Sequence, residues 1–301
     1  EWEEVQVTAI QNLRQSCENH RKEVRKCQQE LDSYEQQGKH VGQTEVRLEL
    51  EEKLTDLSEQ IQELERKYEL LSRTLELLKT ARDRFLGRYL TTLKEKTAEY
   101  LADAGIASVA FTFCGGSTRD ESGFPTTQMT LFTEKEDLIA IFERMEQEAS
   151  VDKDHIFLFG ASQGGLISAM AAEEYKEKIA GMILLYPALC IADNWRERFA
   201  SEDDIPKELN FWGMQLGDVF FKSMRTFETF KVLGHFSSPV LILHGIQDEI
   251  VPIEYSVKAV KQYPNAKLEQ FANEPHGFTE DGNRRMEAMM LYFIHECMES
   301  K

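Results

Sequence analysis

Up to about residue 104 the chain contains no proline and repeats an apolar residue every three or four positions; beyond that point the pattern is different in kind. Ile10, Leu13, Cys17, His20, Val24, Cys27, Leu31 and Tyr34 fall on one stripe of a helix. After a polar stretch holding Gly38 and Gly42, the same stepping resumes at Leu50, Leu54, Leu57, Ile61, Leu64, Tyr68, Leu71, Leu75 and Leu78. Two such arms fold back as an antiparallel hairpin, or the second pairs with another chain, and the pattern leaves both open. Heptads carry packing information only, so residues 1–96 are expected to form a coiled-coil arm that spaces or self-associates. Cys17, His20 and Cys27 lie on that stripe and read as tolerated packing positions.

From about residue 105, short β-branched and aromatic blocks occur at 108–113, 155–160, 181–186, 239–244 and 267–271. Each is a continuous apolar run, as expected of strands buried on both faces of a parallel sheet. Amphipathic stretches such as 134–148 and 255–262 lie between them, so residues 97–301 are expected to be α/β. Of the 301 residues, 42% are apolar, which excludes a disordered chain. The 35 basic and 53 acidic residues give a net charge of −18, so nucleic acid is not an expected partner. No apolar run approaches the roughly 20 residues that cross a bilayer, and the start lacks a signal peptide, so the expectation is a cytoplasmic protein without a membrane partner. The chain opens on Glu1 instead of Met, as expected of a processed protein or a piece of a longer reading frame. The five cysteines form no C-x-x-C pair and have no histidine at metal-ligand spacing, so reduced thiols and no metal site are expected.

The block at 155–160 runs into Gly160-Ala161-Ser162-Gln163-Gly164-Gly165 and then a helical stretch. This is G-x-S-x-G between a strand and a helix. The serine must sit on a strained turn with its oxygen exposed, and side chains two residues to either side are expected to collide with the neighbouring strand and helix. Ser162 also stands at a helix N-terminus, where free amides favour developing negative charge. Asp248 follows the block 239–244 and its turn, and His276 lies in the loop after the last block. Ser162 is expected to attack an acyl carbon, His276 to take and return the proton, and Asp248 to orient the imidazole. Against this stands a structural reading: a turn serine, a helix-capping aspartate and a loop histidine. His244 reads as a turn or core histidine, His155 as a surface residue, and Glu249 as the alternative to Asp248 if the loop register differs.

The segments F-L-F-G-A-S-Q-G-G around Ser162, L-L-Y-P-A-L-C after the next strand, V-L-I-L-H-G-I-Q-D-E-I-V-P around Asp248 and P-H-G-F at His276 carry a resemblance. Residues 97–297 resemble the α/β-hydrolase superfamily, close to its bacterial acyl-ester and cinnamoyl or feruloyl esterase-like branch. The resemblance implies a mostly parallel sheet with flanking helices, a cofactor-free serine esterase acting on a small-molecule ester through an acyl-enzyme, and the Gln163 backbone amide as one oxyanion donor. It also implies that the insertion at about 193–236, with Trp195, Phe199, Phe211, Trp212, Phe220 and Phe221, forms a helical cap. Trp195 or Trp212 is expected to touch substrate, the other reading being that these rings pack the cap onto the sheet.

The family pattern opens with three strands and an H-G-F or H-G-G loop, which this sequence lacks, so the fold is expected to be a truncated α/β-hydrolase. Its sheet must close up, leave an edge, or borrow a strand. The absent loop carries the second oxyanion donor, and loss of one donor typically costs about 100- to 1,000-fold in rate, so weak activity is expected. Residues 75–93 resemble the coiled-coil arm of chromosome-segregation and double-strand-break-repair ATPases, yet no phosphate loop is present and ATP hydrolysis is not expected. The whole resembles a fusion of two unrelated pieces, and its other functional reading is an inactive coiled-coil interaction protein with a remnant hydrolase domain.

Overall fold

The computed structural model describes residues 2–36, 43–118 and 120–299. Contacts divide the chain into two compact units, Glu1–Arg88 and Tyr89–Lys301. In the first, helices α1 (Trp2–Gln36) and α2 (Gln43–Asp103) follow the two heptad stretches, α2 continuing into the second unit. His20 bonds Gln60 at 3.0 Å, and Arg21 pairs with Glu65. Forty residues of uninterrupted helix would separate His20 from Gln60 by about 60 Å. The chain therefore folds back on itself as a helical hairpin, the first of the two arrangements that the heptads leave open. Cys17, Cys27, Leu31 and Leu57 are buried on the stripe. The Gly38–Gly42 stretch, and the side chains at 77–93 that carry most of the ATPase-arm resemblance, lie outside the described residues.

The second unit contains a four-stranded parallel sheet in the order β1-β2-β5-β6, built from β1 (Phe157–Ala161), β2 (Gly181–Leu185), β5 (Val240–Gly245) and β6 (Ala266–Phe271). The continuous apolar runs of β2 and β5 are buried at every position, as central strands covered on both faces require. Side chains alternate between the faces with period two. Met182, Leu184, Val240 and Ile242 enter a core with α3 (Leu131–Glu146) and α4 (Gln163–Glu174), whereas Ile183, Leu185, Leu241 and Leu243 enter one with Leu101 and α9 (Glu280–Glu299). Helix α8 (Ile253–Gln262) crosses over from β5 to β6. Between β2 and β5 the insertion holds α5 (Ile191–Arg198), an antiparallel hairpin of β3 (Glu208–Phe211) and β4 (Met214–Gly217), and the short helices α6 (Asp218–Ser223) and α7 (Thr229–Val232). The hairpin is an addition to the helical cap read from the sequence.

One expected strand does not form. Residues 108–113 join no sheet, and Val109 is exposed while Phe111 and Phe113 pack against the core. Apolar and β-branched content makes a segment fit a pleated surface, but a strand also needs a hydrogen-bonded neighbour, and β1 offers its ladder to β2 alone. The sheet thus leaves an edge at β1 instead of closing up or borrowing a strand. Among the described residues no helix is long and apolar enough to cross a membrane.

Candidate active site

Ser162 is the single residue between β1 and α4, with φ 52° and ψ −122°, a conformation that costs a non-glycine residue about 1–3 kcal/mol and persists only where its surroundings over-determine it. Here its N–H donates to the Leu185 carbonyl at 2.9 Å, and its own carbonyl accepts from Gly165 and Ala188 at 3.0 and 2.9 Å. The crowding expected of the motif glycines is found at Gly160, where a Cβ would stand 2.2 Å from the Gly164 carbonyl oxygen and 2.5 Å from Ser168 Oγ. At Gly164 it is not found: a Cβ there would meet nothing within 4 Å. The constraint has moved one residue on, to Gly165, whose Cβ would lie 2.8 Å from Pro187 Cβ. The cause is that α4 turns its second residue outward and packs its third against the segment leaving β2.

The loops at the C-terminal ends of three strands bring Ser162, His276 and Asp248 together. His276 Nε2 lies 3.2 Å from Ser162 Oγ and its Nδ1 lies 2.8 Å from Asp248 Oδ2. Because the carboxylate can only accept, Nδ1 carries the hydrogen, which leaves Nε2 to accept from the Ser162 hydroxyl. The Asp248 side chain is fully buried, and its Oδ1 accepts from the Ile250 and Val251 amides at 2.9 and 2.8 Å. Burial alone would raise this carboxyl. Hydrogen bonds from His244 and His276, that from Val251 N–H, and the attraction of His276 outweigh it and hold Asp248 well below the usual carboxylate range.

His244 therefore does more than fill a turn. Its Nε2 faces two acceptors, the Val251 carbonyl at 3.0 Å and Asp248 Oδ2 at 3.3 Å, so it donates, while Nδ1 meets Ser256 Oγ at 2.7 Å. It reaches the same Asp248 oxygen that His276 holds. Tyr186, at φ 37°, lays its ring 4.5 Å from that of His276 and also packs on Phe278. The sequence signal for both was present: His244 stands four residues before Asp248, and Tyr186 directly follows β2 in L-L-Y-P.

Gln163 opens α4, so its backbone N–H belongs to a first turn with no acceptor inside the helix. Its side chain donates to buried Glu134 at 2.6 Å, a contact that the sequence reading missed for want of a recognisable motif at Glu134. The glycine loop at 114–116, beside Glu134, does not supply a second oxyanion donor from its own amides: Cys114 donates to Asp137, Gly115 to Asp120 and Gly116 to the Phe113 carbonyl. Trp195 is buried in the insertion among Phe199, Phe211, Phe220 and Phe221, while Trp212 is exposed at the β3–β4 turn and stacks on Phe211. Among the described residues no hydrogen bond or ring contact joins either tryptophan to Ser162, His276 or Asp248. Glu249 is exposed, and His155 bonds Asp152. Among the described residues no group of three or more His, Cys, Asp or Glu side chains is arranged to hold a metal ion.

Residues 92–301 match the model of the prolyl oligopeptidase family. Over 157 residues the chain is 23% identical to an uncharacterized peptidase, YtmA, of Bacillus subtilis; the match covers 51% of this chain and 60% of that relative's length. It is similar to the ferulic-acid-bound structure of Est1E from Butyrivibrio proteoclasticus, with 29% identity and a TM-score of 0.59 over 65% of this chain and 80% of that one. Alpha/beta hydrolase domain-containing protein 10 from mouse shares the fold at 19% identity and a TM-score of 0.53, over 66% of this chain and 81% of that one.

Proposed function

We propose, since this chain belongs to the prolyl oligopeptidase family, that it is a serine hydrolase which cleaves carboxylic esters through an acyl-enzyme on Ser162. The observation that carries the reading is the hydrogen-bond relay from Ser162 Oγ through His276 to a buried, strongly acidic Asp248. In the first half-reaction His276 Nε2 takes the Ser162 proton as Oγ attacks the ester carbonyl, and the imidazolium is stabilised by Asp248. Collapse of the tetrahedral intermediate expels the alcohol, which receives that proton. In the second half-reaction His276 activates water, and hydrolysis returns free Ser162 and the carboxylic acid.

Two considerations favour an ester over a peptide. Gln163 N–H is the oxyanion donor this reading assigns, the amides of the glycine loop at 114–116 being committed elsewhere, and a missing partner costs about 100- to 1,000-fold. An alkoxide leaves far more readily than an amine, so ester cleavage survives that loss where amide cleavage does not. The similarity to a structure that holds ferulic acid points the same way, toward an aromatic or acyl ester of small size. The aromatic insertion, with Trp212 exposed at its hairpin turn, is the surface proposed to meet the acyl or aryl group.

Turnover of p-nitrophenyl butyrate and of a prolyl p-nitroanilide, by the full chain and its Ser162→Ala variant, tests the reading. Ser162-dependent ester hydrolysis with little or no anilide cleavage is expected. Preferential anilide cleavage would reassign the substrate to peptides, and no Ser162-dependent turnover of either would leave the helical hairpin as the working part of the chain.

A further inference from the structure

Behind the nucleophile turn lies a buried carboxylate that the relay does not use. Thr130 caps α3 and exchanges hydrogen bonds with Thr133 in a capping box, which pins the first turn of the helix. That turn buries Leu131 and holds Glu134 at 2% exposure. One Glu134 oxygen accepts from Gln163 Nε2 at 2.6 Å; the other lies against the backbone at Gly116, where an added Cβ would stand 3.0 Å from it. Asp137, from the same helix, is the charged group facing Glu134, and it repels. Burial, and next to it this repulsion, push the Glu134 carboxyl up to about 7, against the opposing effect of the Gln163 hydrogen bond. A buried carboxylate is costly to keep, and such breaches of packing rules cluster at functional sites.

What it grips is the residue after Ser162. We propose that Glu134 is a positioning residue: from the pinned first turn of α3 it holds the Gln163 side chain, and so aims the Gln163 backbone N–H at the oxyanion that forms on the ester. This inference rests on the ester-hydrolase reading. An oxyanion donor contributes only where it meets charge that develops in the transition state, so misaiming it lowers kcat and leaves KM unchanged. The amides of the neighbouring glycine loop at 114–116 are committed to Asp137, Asp120 and the Phe113 carbonyl, so they do not compensate a misaimed one.

Initial rates of p-nitrophenyl acetate hydrolysis by the full chain separate the possibilities, with circular dichroism checking that each variant is folded. Glu134→Leu is expected to lower kcat about 10- to 100-fold with KM within about 2-fold of wild type. Glu134→Gln, which keeps an acceptor for the Gln163 amide, is expected to retain kcat within about 3-fold. Gln163→Leu cuts the same link from the other end while keeping the backbone N–H, and it decides the matter alone if Glu134→Leu does not fold. Combining the two leucine variants should cost no more than either one. Unchanged kcat in Gln163→Leu, losses that multiply in the double variant, or a Glu134→Gln variant as impaired as Glu134→Leu would overturn the inference while wild-type turnover leaves the ester reading standing. A wild-type protein without Ser162-dependent turnover would overturn both.

Discussion

Replacing Glu134 by glutamine should make the protein more stable above about pH 4.5, and most of all at neutral and alkaline pH. In the folded chain burial raises this carboxyl from 4.5 to about 7. Folding therefore favours its protonated form, so its contribution is neutral below about pH 4.5, where the group is protonated folded and unfolded alike. Between about pH 4.5 and 7 the unfolded chain gives up this proton while the folded one keeps it, so a penalty grows across that window and is at full size above it. About 2.5 pK units at 1.36 kcal/mol each make that penalty about 3 kcal/mol, a large share of a typical total stability of about 5–15 kcal/mol. Glutamine has the same shape and never ionises. Urea unfolding followed by tryptophan fluorescence suits the purpose, because Trp195 is buried inside the hydrolase unit. The expected result is a gain for Glu134→Gln of about 2–3 kcal/mol at pH 8.5, shrinking toward zero by pH 4.5. A gain of equal size at both pH values, or a loss at pH 8.5, would refute the reasoning that Glu134 is ionised at a desolvated site.

The glycines around Ser162 should differ sharply. Gly160→Ala drives a methyl to 2.2 Å from the Gly164 carbonyl and should cost about 2 kcal/mol or more of stability in chemical denaturation, together with Ser162 reactivity. Gly164→Ala meets nothing and sits in a helix, so it should be neutral or stabilising by up to about 1 kcal/mol; a loss like that of Gly160→Ala would contradict the packing described. His244→Leu leaves the Val251 carbonyl and Ser256 without their partner and should cost about 1–3 kcal/mol in chemical denaturation, and with one hydrogen bond to Asp248 gone Ser162-dependent ester turnover should fall. Trp195→Ala empties the centre of the aromatic cluster in the insertion and should cost about 3–5 kcal/mol, read as a fall in thermal midpoint.

The elements most legible in the sequence were those that local chemistry dictates. Heptad stepping marks α1 and α2, and continuous apolar runs mark β2 and β5, because burial on both faces leaves no room for polar alternation. Ser162, Asp248 and His276 could be named because each sits on a strand-end loop, in the order the resemblance implies. Whether residues 108–113 pair was not legible, since a strand depends on a neighbour that its own residues do not encode. Nor was the fold-back of α1 along α2, which shows in contacts such as those of His20 with Gln60 and Arg21 with Glu65. The contact from Glu134 to Gln163 joins residues 29 apart and belongs to no motif, so only the packing of α3 against α4 reveals it. The β3–β4 hairpin hid for a related reason: its four-residue strands are half-exposed and carry no long apolar run.

The central claim is that Ser162 is a nucleophile activated by His276 and Asp248. The most direct measurement is reaction of the purified full chain with a fluorophosphonate probe, followed by peptide mass spectrometry to locate the adduct. One phosphonate per chain is expected, on Ser162, forming in wild type, lost in Ser162→Ala and slowed by orders of magnitude in His276→Ala. Absence of label on Ser162 in the folded wild-type protein, or a label that forms equally fast without His276, would contradict it.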